Sequence, residues 1–461
     1  MNFNSLGSWL LVAGLVLLSA VLRRIAAPWL GDRRWPDLLL LAATSLCVFF
    51  STDAVSACIL VAEAGATLFL VRETARISGG PGAKVLLACN LVLILAVWCF
   101  MKFAFSGQGL GELAGGGGMP SGVSFYSFML GAYAVDSFRD GKRLENGLGA
   151  FNFLCFFPIL MAGPIERKHH LGAQMQGFRF ALTAENLVQG GKWIILGLFF
   201  KRVLADNLAL FLDTGPADNP YLILWATFLF GIRLYFDFAG YSFIALGLAR
   251  CLGLKVFLNF LAPYMSTSIR EFWRRWHATL MAWFRDMIYI PLGGSRKGWW
   301  FGNVFLVFLA AGFWHGTGWN FIIWGILHAV YMGLARAIGR HVRPPALLGW
   351  LLTYLAVTFA WLFFYETDIA VLGRKLATLG TLSAYGGANL AQAAGLYQLR
   401  DILPLAGVLA MAGCVFLCEW LRRREEVPYS LLLSTPCVLA LAFLLPLLSA
   451  GGSTTFVYFA F

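Results

Sequence analysis

The chain has 461 residues, 59% of them hydrophobic and only 13% charged, with 35 Lys and Arg against 23 Asp and Glu for a net charge of +12. A soluble domain usually carries about 25% charged residues, so a water-facing surface cannot be built from this supply unless lipid replaces much of the water. The 41 Phe and 17 Trp suit an exterior that meets hydrocarbon and headgroups, and the basic excess reads as topology and anionic-lipid contact, not as nucleic-acid binding.

Residues 1–22 contain no Asp, Glu, Lys or Arg. The stretch lacks a basic leader, and Arg23, Arg24, Arg33 and Arg34 follow it, so it reads as a retained span and not a cleaved signal peptide. By the positive-inside rule the arginine loop is cytoplasmic and the N-terminus outside. Further apolar segments are predicted near 36–52, 54–71, 84–105 and 121–138. Between the last two, four consecutive glycines at 115–118 resist a helix, and residues 107–120 are expected to form a loop. Residues 151–164 (FNFLCFFPILMAGP) are too short and too broken by Pro158, Gly163 and Pro164 to cross. A stretch of this length is often re-entrant or interfacial, and it survives at membrane depth only where protein or a water cavity surrounds it. Spans near 187–212 and 221–252 follow.

Residues 259–297 have a different texture, aromatic but unusually charged. After them the apolar runs resume. Residues 298–335, 344–365 and 427–461 carry no Asp, Glu, Lys or Arg, and the first of these is 38 residues long. A spanning helix needs roughly 20 apolar residues, so this run suffices for one crossing and most of a return. The fold expected is an all-α integral membrane protein of about eleven transmembrane helices plus re-entrant or interfacial helices. The nine Cys show no CxxC or metal-type spacing; most lie in apolar runs as small hydrophobes, Cys414 and Cys418 suggest helix packing, and neither a metal site nor a disulfide framework is expected.

Ionisable residues inside a membrane are costly and are functional candidates by default. Of the six His, His169, His170 and His341 sit in basic loops and read as solvated or headgroup-facing. His315, in AAGFWHGTGWNFIIWG, is surrounded by Gly312, Gly316 and Gly318, which let backbone approach a ligand, and Trp314 and Trp319 would wall the site. A neutral imidazole there can take a proton from a hydroxyl and return it; the plain alternative is a buried histidine bonded to a neighbouring helix. His277 follows Arg270 and Arg274 at i, i+4 and i+7, so on one continuous helix the three share a face. Two arginines beside a histidine could hold a phosphorylated or carboxylated donor, although RR beside Trp also marks an interfacial helix. Glu271 and Arg275 can pair at i, i+4. His328, 13 residues from His315, falls about 220° away on a helix, and helix packing is favoured for it. Asp237, in YFDFAGYS, needs a partner, with Arg233 or an arginine of the 270–275 group as candidates.

Six motifs occur in order: SFYSFMLGAYAVDSFRD, FFPILMAGPIER, YFDFAGYSFIALGLARCLG, EFWRRWHATLMAWFRDMIYIPLGGSRKG, GFWHGTGWNFIIWG and the terminal FVYFAF. Together they resemble the alginate O-acetyltransferase branch of the membrane-bound O-acyltransferase family, over roughly 123–365 plus the last residues. The resemblance implies one polytopic domain over 1–461, with spans ringed around a central funnel. It implies that His315 is the characteristic catalytic histidine and His277 the second; the local residue pattern adds Arg270, Arg274, Trp314, Trp319 and Asp237 as substrate- or donor-binding candidates, with a structural ion pair an equal reading for Asp237. Ala329 is a small departure, since the branch often reads HG at His328. The resembled branch moves acetyl groups from a cytoplasmic thioester donor, acetyl-CoA or an acyl carrier protein, towards an exported exopolysaccharide such as alginate or cellulose. No tightly bound cofactor and no metal is implied. The implied setting is the bacterial inner membrane, with membrane lipids, periplasmic or extracellular acetyltransferase partner proteins and polysaccharide export machinery as partners. D-alanyl or other acyl transfer to a cell-envelope polymer is the nearest alternative; a transporter component is another class, which predicts inverted or parallel repeats that the sequence does not show, and a structural scaffold for a secretion complex is a third.

Overall fold

The computed structural model describes residues 6–31, 33–77, 80–105, 120–141, 146–180, 182–212, 218–296, 298–339 and 344–450. The glycine-rich loop, His341 and the terminal FVYFAF lie outside the described residues. Those described form helices and connecting turns, with no strand among them. Among the described residues eight helices are long and apolar enough to cross a membrane: Gly7–Leu30, Trp35–Thr52, Ala54–Ile77, Pro81–Phe105, Pro220–Cys251, Trp319–Ile338, Ala346–Tyr365 and Leu399–Arg422. Two shorter apolar helices, Trp300–His315 and Thr435–Leu448, accompany them. Against the expected eleven or so, the segments near 121–138 and 187–212 do not join the eight. The first is the largely buried helix Val123–Asp140, and the second is divided by a π turn. Phe69, Val92, Leu403 and Phe443 are each more than 60% exposed, as suits side chains that face lipid tails and not water.

The chain clusters into two compact units, residues 1–194 with 242–258, and residues 195–241 with 259–461. In the first unit, polar side chains tie apolar helices together. Asp37, 1% exposed, takes Arg23 Nε at 3.0 Å and the Phe180 N–H at 2.9 Å. Arg23, expected in the loop after the first span, lies inside the helix that runs to Leu30, and a carboxylate in the first turn of the next helix anchors it there. Residues 151–164 behave as their prolines require. The helix Gly147–Leu154, capped by the Asn146 side chain, ends at Cys155, and a fully buried series of turns follows. Asn152 secures it by donating to the Leu38 carbonyl at 2.9 Å. Gly122 is left-handed at φ 78°, and any Cβ there would run into the Leu160 carbonyl, so this turn demands glycine. His170, half-buried, bonds Glu166 Oε2 at 2.8 Å and stacks on Phe257 at 3.8 Å between centroids; His169 is exposed.

In the second unit the helix ending at Leu198 continues as a π turn, Phe199–Ala205, before Asp206–Ala209. A π turn inserts a residue and re-aims the side chains around it. Here it carries Lys201. Gly240 allows the helix Pro220–Cys251 to close on that turn, because a Cβ would meet the Gly197 carbonyl and the Lys201 amide. The aromatic and charged region is divided into short elements over residues 259–296. It is a helix Ile269–Arg275, a left-handed His277, a helix Ala278–Phe284, a π turn Arg285–Tyr289, and turns to 296.

Helices Trp300–His315 and Trp319–Ile338 form a tight hairpin. Gly312 and Gly325 sit where a side chain would strike the Phe321 and Phe308 carbonyls, the small-residue contact that lets membrane helices approach. Gly325→Val should therefore force the hairpin apart at a cost of about 1–3 kcal/mol. Reduced yield of monodisperse protein in detergent would show it, and unchanged yield and melting would refute the contact.

Candidate functional site

His315 ends the helix Trp300–His315 and is 6% exposed. Three rings enclose it edge-on: Trp314 at 4.8 Å, Phe364 at 4.8 Å and Trp324 at 5.1 Å between centroids. The glycines around it do different work from that expected. Gly316 and Gly318 lie in the extended turn between the two helices, where side chains would collide with the Phe321 ring and the Asn320 amide oxygen. The Gly316 N–H is committed to the Gly312 carbonyl at 3.2 Å, so it is not a ready oxyanion donor. Trp319, expected as a wall, is 70% exposed at the start of the next helix. The reason is phase: the turn rotates Trp319 outward and brings Trp324, one and a half turns later, inward.

His277 is 1% exposed and lies outside the eight candidate spans. Its backbone is left-handed, φ 44° and ψ 51°. That break ends the helix at Arg275, so Arg270 and Arg274 do not share one helical face with His277 as the continuous spacing predicts. Burial pushes its imidazole down to about 3, which keeps the ring neutral at ordinary pH. Nδ1 lies 3.1 Å from Asn259 Oδ1, and the same oxygen accepts from the Thr279 hydroxyl at 2.6 Å. The ring meets Phe238 edge-on at 4.7 Å and Trp314 at 6.0 Å. Trp314 is thus a ring neighbour of both histidines.

Arg270 and Arg274 line a cavity of about 1030 Å³, together with Arg285, Arg336, Tyr289 and Trp273. Arg285 pairs with Asp286 at 2.7 Å and Arg336 lies over the Trp300 ring at 4.1 Å. Among the described residues no carboxylate pairs with Arg270 or Arg274, so two guanidinium groups are available to an anion. Ala278, next in the chain to His277, also lines the cavity. His328 is fully buried; its Nδ1 accepts from Trp273 Nε1 at 3.3 Å, and its ring meets Trp324 at 4.7 Å. The helical angle between His315 and His328 does not apply, since they occupy two helices of one hairpin and pack on the same Trp324.

Asp237, fully buried, pairs with Lys201 at 2.6 Å, and Lys201 also pairs with Asp206 at 2.8 Å. The expected arginine partners are not used, because the π turn delivers a lysine first. Sequence reasoning also missed Glu419. This fully buried acid accepts from Tyr235 Oη at 2.6 Å, and Tyr235 meets Tyr429 at 3.1 Å. An acid inside the apolar run CVFLCEWL was the signal available. Among the described residues no group of His, Cys, Asp and Glu could hold a metal ion.

Residues 127–372 match the family model described as MBOAT, membrane-bound O-acyltransferase family. The probable alginate O-acetylase of Pseudomonas aeruginosa is 34% identical, over 78% of this chain and 74% of that protein. The peptidoglycan O-acetyltransferase of Helicobacter pylori is 34% identical, over 54% of this chain and 55% of its own length. The teichoic acid D-alanyltransferase of Streptococcus thermophilus is 32% identical, over 45% and 55%.

Proposed function

Because the chain belongs to the membrane-bound O-acyltransferase family and is a multi-pass membrane protein, we propose that it moves acetyl groups from a cytoplasmic thioester donor across the bacterial inner membrane to O-acetylate an exported exopolysaccharide such as alginate or cellulose. The observation that carries this reading is that two buried histidines share the neighbour Trp314 and that an arginine-lined cavity starts one residue from His277. A cavity of this size holds a cofactor-sized ligand, and unpaired guanidinium groups match phosphate or carboxylate bidentately.

In the proposed reaction the acceptor hydroxyl attacks the thioester carbonyl while His315 takes its proton. The C–S bond then breaks, the ester C–O bond stands in its place, and the thiolate leaves to be protonated. Closed aromatic walls exclude water, which would otherwise hydrolyse the thioester. Donor and acceptor enter from opposite faces, so neither need cross. Periplasmic or extracellular acetyltransferases and export machinery complete the proposed setting, and acetyl-CoA or an acyl carrier protein supplies the donor.

Purified protein in vesicles, given labelled acetyl-CoA or acetylated carrier protein on the arginine side and a polysaccharide acceptor opposite, should form labelled ester. Label from D-alanyl carrier alone would move the assignment to the D-alanyl branch, and solute uptake without any acyl donor would overturn it. Arg270→Ala and Arg274→Ala should each raise the donor KM about tenfold, the loss of roughly 1.4 kcal/mol of binding, with kcat little changed. Unchanged donor saturation in both would remove the arginines from the donor site.

A further inference from the structure

Among the described residues, Ala262 and His277 are the non-glycine positions with left-handed backbone, at φ 52° and 44°. Such a conformation costs on the order of 1–3 kcal/mol and persists only where its surroundings impose it. The surroundings here are each other's segments. The Leu261 N–H donates to the Arg275 carbonyl at 3.0 Å, and the Ala278 N–H donates to the Asn259 carbonyl at 2.8 Å. Arg275 Nη1 returns to the Leu261 carbonyl at 2.9 Å. The Ala262 N–H donates to Tyr429 Oη at 3.2 Å, in the network that includes Tyr235 and Glu419. Residues 259–262 are therefore strapped along 275–278, and the strap ends at the Asn259 side chain.

That side chain, 1% exposed, presents an amide oxygen, which can only accept. It has two lone pairs, and the Thr279 hydroxyl and His277 Nδ1 both lie on it. A neutral imidazole facing an acceptor at Nδ1 must carry its proton there, which puts the lone pair on Nε2.

We propose that Asn259, backed by Thr279, is a positioning residue that holds His277 in its Nδ1–H form and so leaves Nε2 as the lone-pair nitrogen of that ring. The left-handed turn at His277 delivers the ring to Asn259, and the amide fixes both its rotation and its tautomer. The relationship parallels the carboxylate that orients a catalytic histidine, with a neutral amide in its place, so the ring gains orientation without a neighbouring negative charge to raise its proton affinity. This inference rests on the reading of His277 as a member of the acyl-transfer site.

The test uses the full-length protein in detergent or nanodiscs with ¹⁵N-labelled histidine, the His277 signals being those lost in His277→Gln. The wild type should show the Nδ1–H tautomer at His277. Asn259→Leu should shift it to a mixture or to Nε2–H, with kcat at least about tenfold lower and donor KM unchanged, whereas Asn259→Asp, which keeps the acceptor, should retain Nδ1–H. Should Asn259→Leu fail to fold, Thr279→Val removes the supporting hydroxyl and should shift the tautomer in the same direction. An Nε2–H tautomer in the wild type, or an unchanged tautomer in Asn259→Leu or Thr279→Val, overturns the proposal. Full acetylation by His277→Gln would instead sink the role of His277 in catalysis, and the tautomer result would stand apart from it.

Discussion

His315→Ala should lower acetyl transfer by about 10²–10⁴-fold, the usual worth of a positioned general base, while leaving the protein folded in the membrane. The geometry explains why the two effects separate. His315 ends its helix and is held edge-on by Trp314, Trp324 and Phe364. Truncating it removes an imidazole from an aromatic box whose walls also pack on one another: Trp324 meets Phe364 at 4.9 Å. The hairpin itself rests on Gly312 and Gly325, far from the imidazole in chemistry though near in chain. Ester formation in vesicles, normalised to protein recovered in a monodisperse peak, measures it. Normal acetylation at equal protein level would end the assignment of His315 as base.

Lys201→Met should cost the fold about 3–5 kcal/mol, the range for removing one partner from a buried ion pair. Lys201 is 5% exposed and stands between Asp206 and Asp237, both fully buried. Methionine matches its length and fills its volume, so packing changes little and the loss is electrostatic: two carboxylates lose their shared ammonium in a setting that solvates them poorly. Thermal unfolding in detergent should show a marked drop, and Lys201→Met combined with Asp237→Asn should recover part of it, since the double change removes one of the stranded charges. A single variant that melts with the wild type would show that the triad is not what secures the π turn.

Membrane character was legible in the sequence because it depends on composition and run length, which need no knowledge of neighbours. His315 and His277 were legible as candidates for a similar reason: a histidine in an apolar aromatic run is rare enough to stand out. Their surroundings were not. Helical spacing placed Arg270, Arg274 and His277 on one face, but a left-handed His277 resets the phase, and nothing local in WRRWHATL encodes a backbone that only the strap from residues 259–262 sustains. The same limit hid Asn259, which is eighteen residues from His277 in the chain and lies in an unremarkable loop. Asp237 was given an arginine because arginines were near in the motif. The lysine that reaches it sits in LGLFFKRVLAD, where a π turn, invisible to a 3.6-residue period, turns it inward. Trp319 was misplaced by treating a Gly-X-Gly turn as part of one wall.

The helix that carries His315 has 16 residues, a rise of about 24 Å, against a hydrocarbon layer of about 30 Å. Trp299, 69% exposed at its start, is the kind of side chain that anchors a helix at a headgroup boundary. Measured from such an anchor, the imidazole stops roughly 6 Å short of the opposite boundary, and the glycine turn reverses the chain there. A helix of that length would carry a hydrophobic mismatch at His315. The bilayer would thin locally or the protein itself would fill the gap, and in the proposed reaction the imidazole would then stand near the aqueous phase in which a polymer too large to enter a membrane is met.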